Sequence, residues 1–115
     1  MDIDMTCIDL SVGDLLRCSF GLSKREASVL MTLLESGDPL PVSGISSLTG
    51  RDRSVVQRAL LRLVEKSLAD RSQRNREGGG YEYLYQARGK EKVKRAILGK
   101  SRSFLSRIQL SLRGW

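Results

Sequence analysis

Residues 42–68 read VSGISSLTGRDRSVVQRALLRLVEKSL, and their periodicity decides the fold. A short helix fits Val42 to about Leu48, with Ile45 and Leu48 turned inward. Thr49-Gly50 supplies a tight turn, and Asp52 stands as N-cap to a second, longer helix from about Arg53 to Lys66. Val56, Ala59, Leu60 and Leu63 share one face of that helix, the stripe of a half-buried segment. Two helices joined by a glycine-containing turn make a helix-turn-helix unit.

Upstream, a short helix fits Ser11 to about Phe20, with Val12, Leu15, Leu16 and Cys18 on its apolar side and Gly21 ending it. Ser23 and Glu26 then form a capping-box pattern ahead of a helix whose inward residues are Ala27, Leu30, Met31 and Leu34. Gly37 stops this helix, with Pro39 and Pro41 just beyond. Downstream of Ser67 the period changes to two. Leu68 to about Gln73 reads as one strand and Tyr81 to Ala87 as another, with Tyr81, Tyr83 and Tyr85 on one face. The stretch Arg74-Asn75-Arg76-Glu77-Gly78-Gly79-Gly80 between them is a polar hairpin tip. Three helices followed by a hairpin predict a mainly α fold with a small β wing, a winged helix-turn-helix. A long last helix, Lys90 to Arg113, follows the wing. The expected organisation is an N-terminal arm and short helix over 1–20, the winged unit over 21–88 and the last helix over 89–115.

Charge divides along the chain. Residues 1–50 hold three basic and seven acidic side chains, a net of −4, whereas residues 51–115 hold 17 basic and six acidic, a net of +11. Such a split implies a polyanionic partner met mainly by the second half. With Val56 at the centre of the buried face, Ser54 and Arg58 fall opposite it, and Gln57 and Arg62 lie on the flanks. Arg51 and Arg53 occupy the N-terminal end, where a helix in a major groove meets base edges and phosphates. Arg58 has the donor fork to read guanine, and Gln57 the amide to read adenine. On a lone amphipathic helix these arginines would only solvate the exposed face. The preceding helix, the turn and the hairpin shift the balance toward double-stranded DNA. Arg71, Arg74 and Arg76 around the glycine run suit a minor groove or its flanking phosphates. Gly78-Gly79-Gly80 lacks the Lys-Ser/Thr of a phosphate-binding loop.

The last helix carries an apolar ridge of Val93, Ile97, Phe104, Ile108 and Leu112, widened by Leu98 and Leu105. The helix is also basic, with Lys90, Lys92, Lys94, Arg95, Lys100, Arg102, Arg107 and Arg113 against Glu91 alone. An amphipathic helix on a membrane surface would show the same contrast, and a helix lying along DNA phosphates beside the wing would account for the charge. Pairing with a second copy across a two-fold axis accounts for ridge and charge together, so a homodimer is expected through Val93, Ile97, Phe104, Leu105, Ile108 and Leu112.

The chain contains no histidine, and Cys7 and Cys18 are its only cysteines, which leaves neither a zinc set nor an evident catalytic base. The cysteines read as small buried hydrophobes or unpaired thiols. No enzyme activity, metal or cofactor is expected. The acidic start Met1-Asp2-Ile3-Asp4, without a following apolar run, is unlike a secretory signal, and a cytoplasmic location is expected. No effector can be read from the residues.

Gly21-Leu22-Ser23 followed by Glu26-Ala27, then Ile45-Ser46-Ser47-Leu48-Thr49-Gly50, Arg53-Ser54-Val55-Val56 and Leu60 to Leu68, resembles the TrmB-like archaeal transcription regulators. The wing exit Tyr83-Leu84-Tyr85-Gln86-Ala87, leading into a long helix, is similar to small members of that group. The resemblance covers roughly residues 20–110. It implies a homodimer reading a pseudo-palindromic DNA site through the Arg53–Lys66 helix, with the wing beside it. Larger members carry a C-terminal sugar-binding domain, and this chain ends soon after its last helix, so no sugar effector is carried over. Ser67 stands where the family usually has glycine. The competing classes are a non-specific architectural DNA binder and a winged helix that binds other proteins. Dependence of affinity on base sequence separates the first of these from a regulator, and the basic wing and helix weigh against the second.

Overall fold

The computed structural model describes residues 11–115. Cys7 and the rest of the expected arm over 1–10 lie outside the described residues. In chain order the elements are α1 (Val12–Phe20), α2 (Lys24–Ser36), β1 (Leu40–Pro41), α3 (Val42–Thr49), α4 (Arg53–Glu65), β2 (Ala69–Asn75), β3 (Tyr81–Ala87) and α5 (Lys90–Arg113). The expected mainly helical fold with a hairpin wing is observed, with one addition. β1 pairs antiparallel with β3, Leu40 opposite Tyr85, so the sheet has three strands in the order β1-β3-β2. Two residues, a leucine between prolines and the second of those prolines, carry no alternation that a sequence reading can detect. Their pairing nevertheless ties the start of α3 to the wing.

Local chemistry sets the helix ends. The Ser23 hydroxyl accepts from the Glu26 amide at 3.1 Å, and the Glu26 carboxylate accepts from the Ser23 amide at 3.0 Å, which completes the capping box of α2. Asp52 has the extended backbone of an N-cap but makes no side-chain cap bond to α4. At the other end of α4 the amide of Ser67 donates to the carbonyl of Val64, and that of Leu68 to Leu63, a Schellman closure. The closure needs a left-handed residue, and Ser67 takes it with φ 61°, alone among the described non-glycine residues. Gly50, with φ 68°, plays the same part at the turn between α3 and α4.

One core joins these elements. The stripe Val56, Ala59, Leu60 and Leu63 of α4 is buried against Ala27, Val29, Leu30 and Leu33 of α2 and Ile45 of α3. Leu16 of α1, Tyr85 of β3 and Val93 of α5 close its edges. Fully burying each of the larger aliphatic side chains contributes about 1.5–3 kcal/mol. Leu48 departs from expectation: it is 66% exposed. It lies about 60° round α3 from Ile45, beyond the side that α2 and α4 cover. Val12 and Cys18 are likewise exposed, so α1 buries Leu16 and leaves much of its expected apolar side open.

β2 continues through Asn75 rather than stopping at Gln73, because Arg74 and Asn75 find cross-strand partners in Glu82 and Tyr81. The tip shortens to Arg76–Gly80 as a result. α5 extends away from this body: Val93 is its last buried residue, and 98–115 are all exposed. The molecule measures 67 × 23 × 21 Å in consequence.

Candidate nucleic-acid interface

Burying one stripe of α4 dictates what its other side presents. Arg53, Ser54, Gln57, Arg58 and Arg62 all reach solvent. β1 and β3 bring the wing alongside, and between them lies a cleft of about 310 Å3. Arg53 and Gln57 of α4 line it together with Ser43 of α3 and Arg76, Tyr81, Glu82 and Tyr83 of the wing. The structure thus unites two groups of residues that the sequence had identified separately, at the end of α4 and on the hairpin.

Other expected residues lie apart from the cleft. Ser54 and Arg58 are exposed on α4 and do not line it. Arg51 is half-buried in the turn, its carbonyl accepting from the Ser46 hydroxyl at 2.6 Å. Arg62 turns toward α2, with Nε 3.7 Å from the Glu26 carboxylate and Nη1 4.0 Å from Glu65.

The wing arginines are engaged within the wing itself. The Arg71 guanidinium lies over the Tyr83 ring, 4.2 Å from its centroid, and Tyr81 meets Tyr83 edge-on at 5.5 Å. A hydrogen bond with Tyr83 raises the Tyr81 phenol above its ordinary value. Arg74 donates to Oε1 of Glu82 through both Nε, at 3.1 Å, and Nη2. Arg76 Nη2 donates to the other carboxylate oxygen at 3.2 Å. Glu82 retains only 17% of its side-chain exposure, and the Arg74 hydrogen bond is the main cause that holds its carboxyl below the ordinary range. Sequence reasoning missed Glu82 as a site residue. Its signal was its place on the strand returning from an arginine-rich tip, and its pairing depends on the register Arg74↔Glu82. Ser43, Tyr81 and Tyr83 were also missed as lining residues, since β1 brings the start of α3 to the wing.

Three helices, a β wing and an exposed basic helix beside that wing define a transcription regulator of the winged-helix type. The chain belongs to the TrmB family: the family described as sugar-specific transcriptional regulator TrmB matches residues 16–91. An uncharacterised protein of Methanocaldococcus jannaschii is 35% identical over 91 residues, covering 79% of this chain and 68% of that protein. A possible transcriptional regulator from Methanosarcina mazei superposes with a TM-score of 0.80 at 32% identity, covering 98% of this chain and 95% of the other. A homodimeric winged helix-turn-helix DNA-binding domain from Mycobacterium bovis shares the fold at a TM-score of 0.51 and 19% identity, covering 78% of this chain and 79% of that one. Family and fold are those of transcription regulators, not enzymes. No helix among the described residues is long and apolar enough to cross a membrane.

Proposed function

We propose that the chain acts as a homodimeric, sequence-specific regulator on double-stranded DNA, with α4 in the major groove and the wing on the adjacent minor groove or phosphates. One observation carries this reading: a single cleft presents Arg53 and Gln57 of α4 beside Arg76 of the wing, which would let one duplex meet both elements. Arg58 and Ser54, exposed on the same helix, add base-reading and phosphate donors. Arg51 and Arg62 take the outer phosphates, and Arg71 and Arg74 contribute from the wing. The dimer reading rests on α5. Leu98, Phe104, Leu105, Ile108 and Leu112 are 39–62% exposed on a helix that leaves the core after Ile97. Leu98, Leu105 and Leu112 recur every seven residues, the spacing of a helix-to-helix seam. The homodimeric state of the Mycobacterium bovis domain agrees with pairing in this fold.

Selection of bound duplexes from a random pool, with titration at two salt concentrations, tests the proposal. A two-fold-symmetric motif with half-site centres about 10 bp or a multiple apart is expected. Tight binding at low salt that ignores sequence would replace it with an architectural role. Absence of binding at both salts would turn the assignment toward a protein partner.

A further inference from the structure

Glu82 is the anionic partner of two wing arginines, Arg74 and Arg76. Its two carboxylate oxygens accept from Arg74 and Arg76 with the donor geometry that both arginines would offer to DNA. The carboxylate is mostly enclosed, whereas the two guanidinium side chains remain 59% and 60% exposed, so DNA can approach the arginines but must compete with Glu82 for their donors. Arg76 also lines the cleft with Arg53 and Gln57, and its tie to Glu82 holds it there. Glu77, on the same tip, has no such partner among the described contacts.

We infer that Glu82 is a specificity-determining residue: an internal counter-ion that restrains Arg74 and Arg76 and so limits the affinity of the wing for DNA of arbitrary sequence. The inference rests on the DNA-binding reading above. Electrostatic attraction to phosphate is blind to sequence, and each counter-ion-releasing contact adds about 0.9 to the slope of log affinity against log salt. With its carboxylate paired to both, the cluster of Arg74, Arg76 and Glu82 carries a net charge of +1 where the two arginines alone would carry +2.

The test is Glu82→Gln, which keeps the side-chain shape and removes the charge. Affinity for a duplex of scrambled sequence is expected to rise roughly eightfold at about 0.1 M salt, with the salt slope steeper by about one. Glu77→Gln changes net charge equally and is expected to give a clearly smaller gain. Adding Arg74→Gln and Arg76→Gln to the Glu82 variant should abolish the gain. An unchanged affinity in E82Q, or an equal gain in E77Q, overturns the inference while leaving DNA binding in place. Failure of the unaltered protein to bind any duplex overturns both. Should E82Q not fold, NMR of the Arg74 and Arg76 guanidinium groups in the unaltered protein decides. Retention of their Glu82-paired signals on scrambled DNA supports the inference, and their transfer to phosphate overturns it.

Discussion

Ser67 shows how much one residue can be asked to do. The Schellman closure of α4 needs a left-handed backbone, and a serine there pays the contact between its Cβ and its own carbonyl, about 1–2 kcal/mol. Glycine removes that cost but makes the unfolded chain freer by about 0.4–1 kcal/mol. Ser67→Gly is therefore expected to stabilise the protein by about 1 kcal/mol, seen in thermal melting as a rise of about 4 °C. A lower melting temperature would show that the serine side chain contributes something its backbone strain conceals. Arg58 tests the reading of bases. Arg58→Ala is expected to weaken binding to the selected site by about 1–3 kcal/mol and to relax preference at one position in each half-site. Binding profiles with unchanged preference would remove Arg58 from that role.

Among the elements, the wing is a strained balance of charge and α5 an unfinished surface. Glu82 has its carboxyl held below the ordinary value of 4.5 by Arg74 first and by Arg76 in addition. Because the folded value is the lower one, the stabilisation is complete above the ordinary value and is lost as pH falls through the depressed one. The wing is expected to keep its ion pairs at about pH 5 and to release them only in stronger acid. Carboxyl-carbon NMR checks this: a Glu82 midpoint at or above the ordinary carboxylate value would contradict the pairing. α5 differs in kind. Its residues beyond Ile97 are all exposed, so a chain ending before Lys100 should fold. Light scattering is expected to show that truncated chain as a monomer, and a surviving dimer would place the interface elsewhere.

For the molecule as a whole, the proposed dimer would join the two elements into one device. In that dimer two α4 helices on a two-fold axis would make the second half-site contact intramolecular, with apparent affinity expected to rise by about 10²–10⁴ over a single half-site. The melting temperature of the dimer is also expected to rise with protein concentration. Calorimetry over a hundredfold concentration range checks this, and a constant melting temperature would argue for a folded monomer whose α5 remains open.

The helices, the hairpin and their order could be read along the chain, because each is written in local signals. The capping pair Ser23 and Glu26, the stripe Val56-Ala59-Leu60-Leu63 and the alternation of Tyr81 to Ala87 act over neighbouring residues. Leu48 and β1 could not be read so. Whether an apolar side chain is covered depends on what packs against its helix, and a two-residue strand exists only through its partner. The same distinction runs through the site. The residue types of α4 and the wing were legible, since a buried stripe leaves the remaining positions exposed. Their union in one cleft, the turning of Arg62 toward Glu26 and the clamping of Arg74 and Arg76 by Glu82 were decided by the folded chain. Ion pairing falls off within a few ångströms, and only tertiary structure brings charges eight or thirty-six residues apart to that distance.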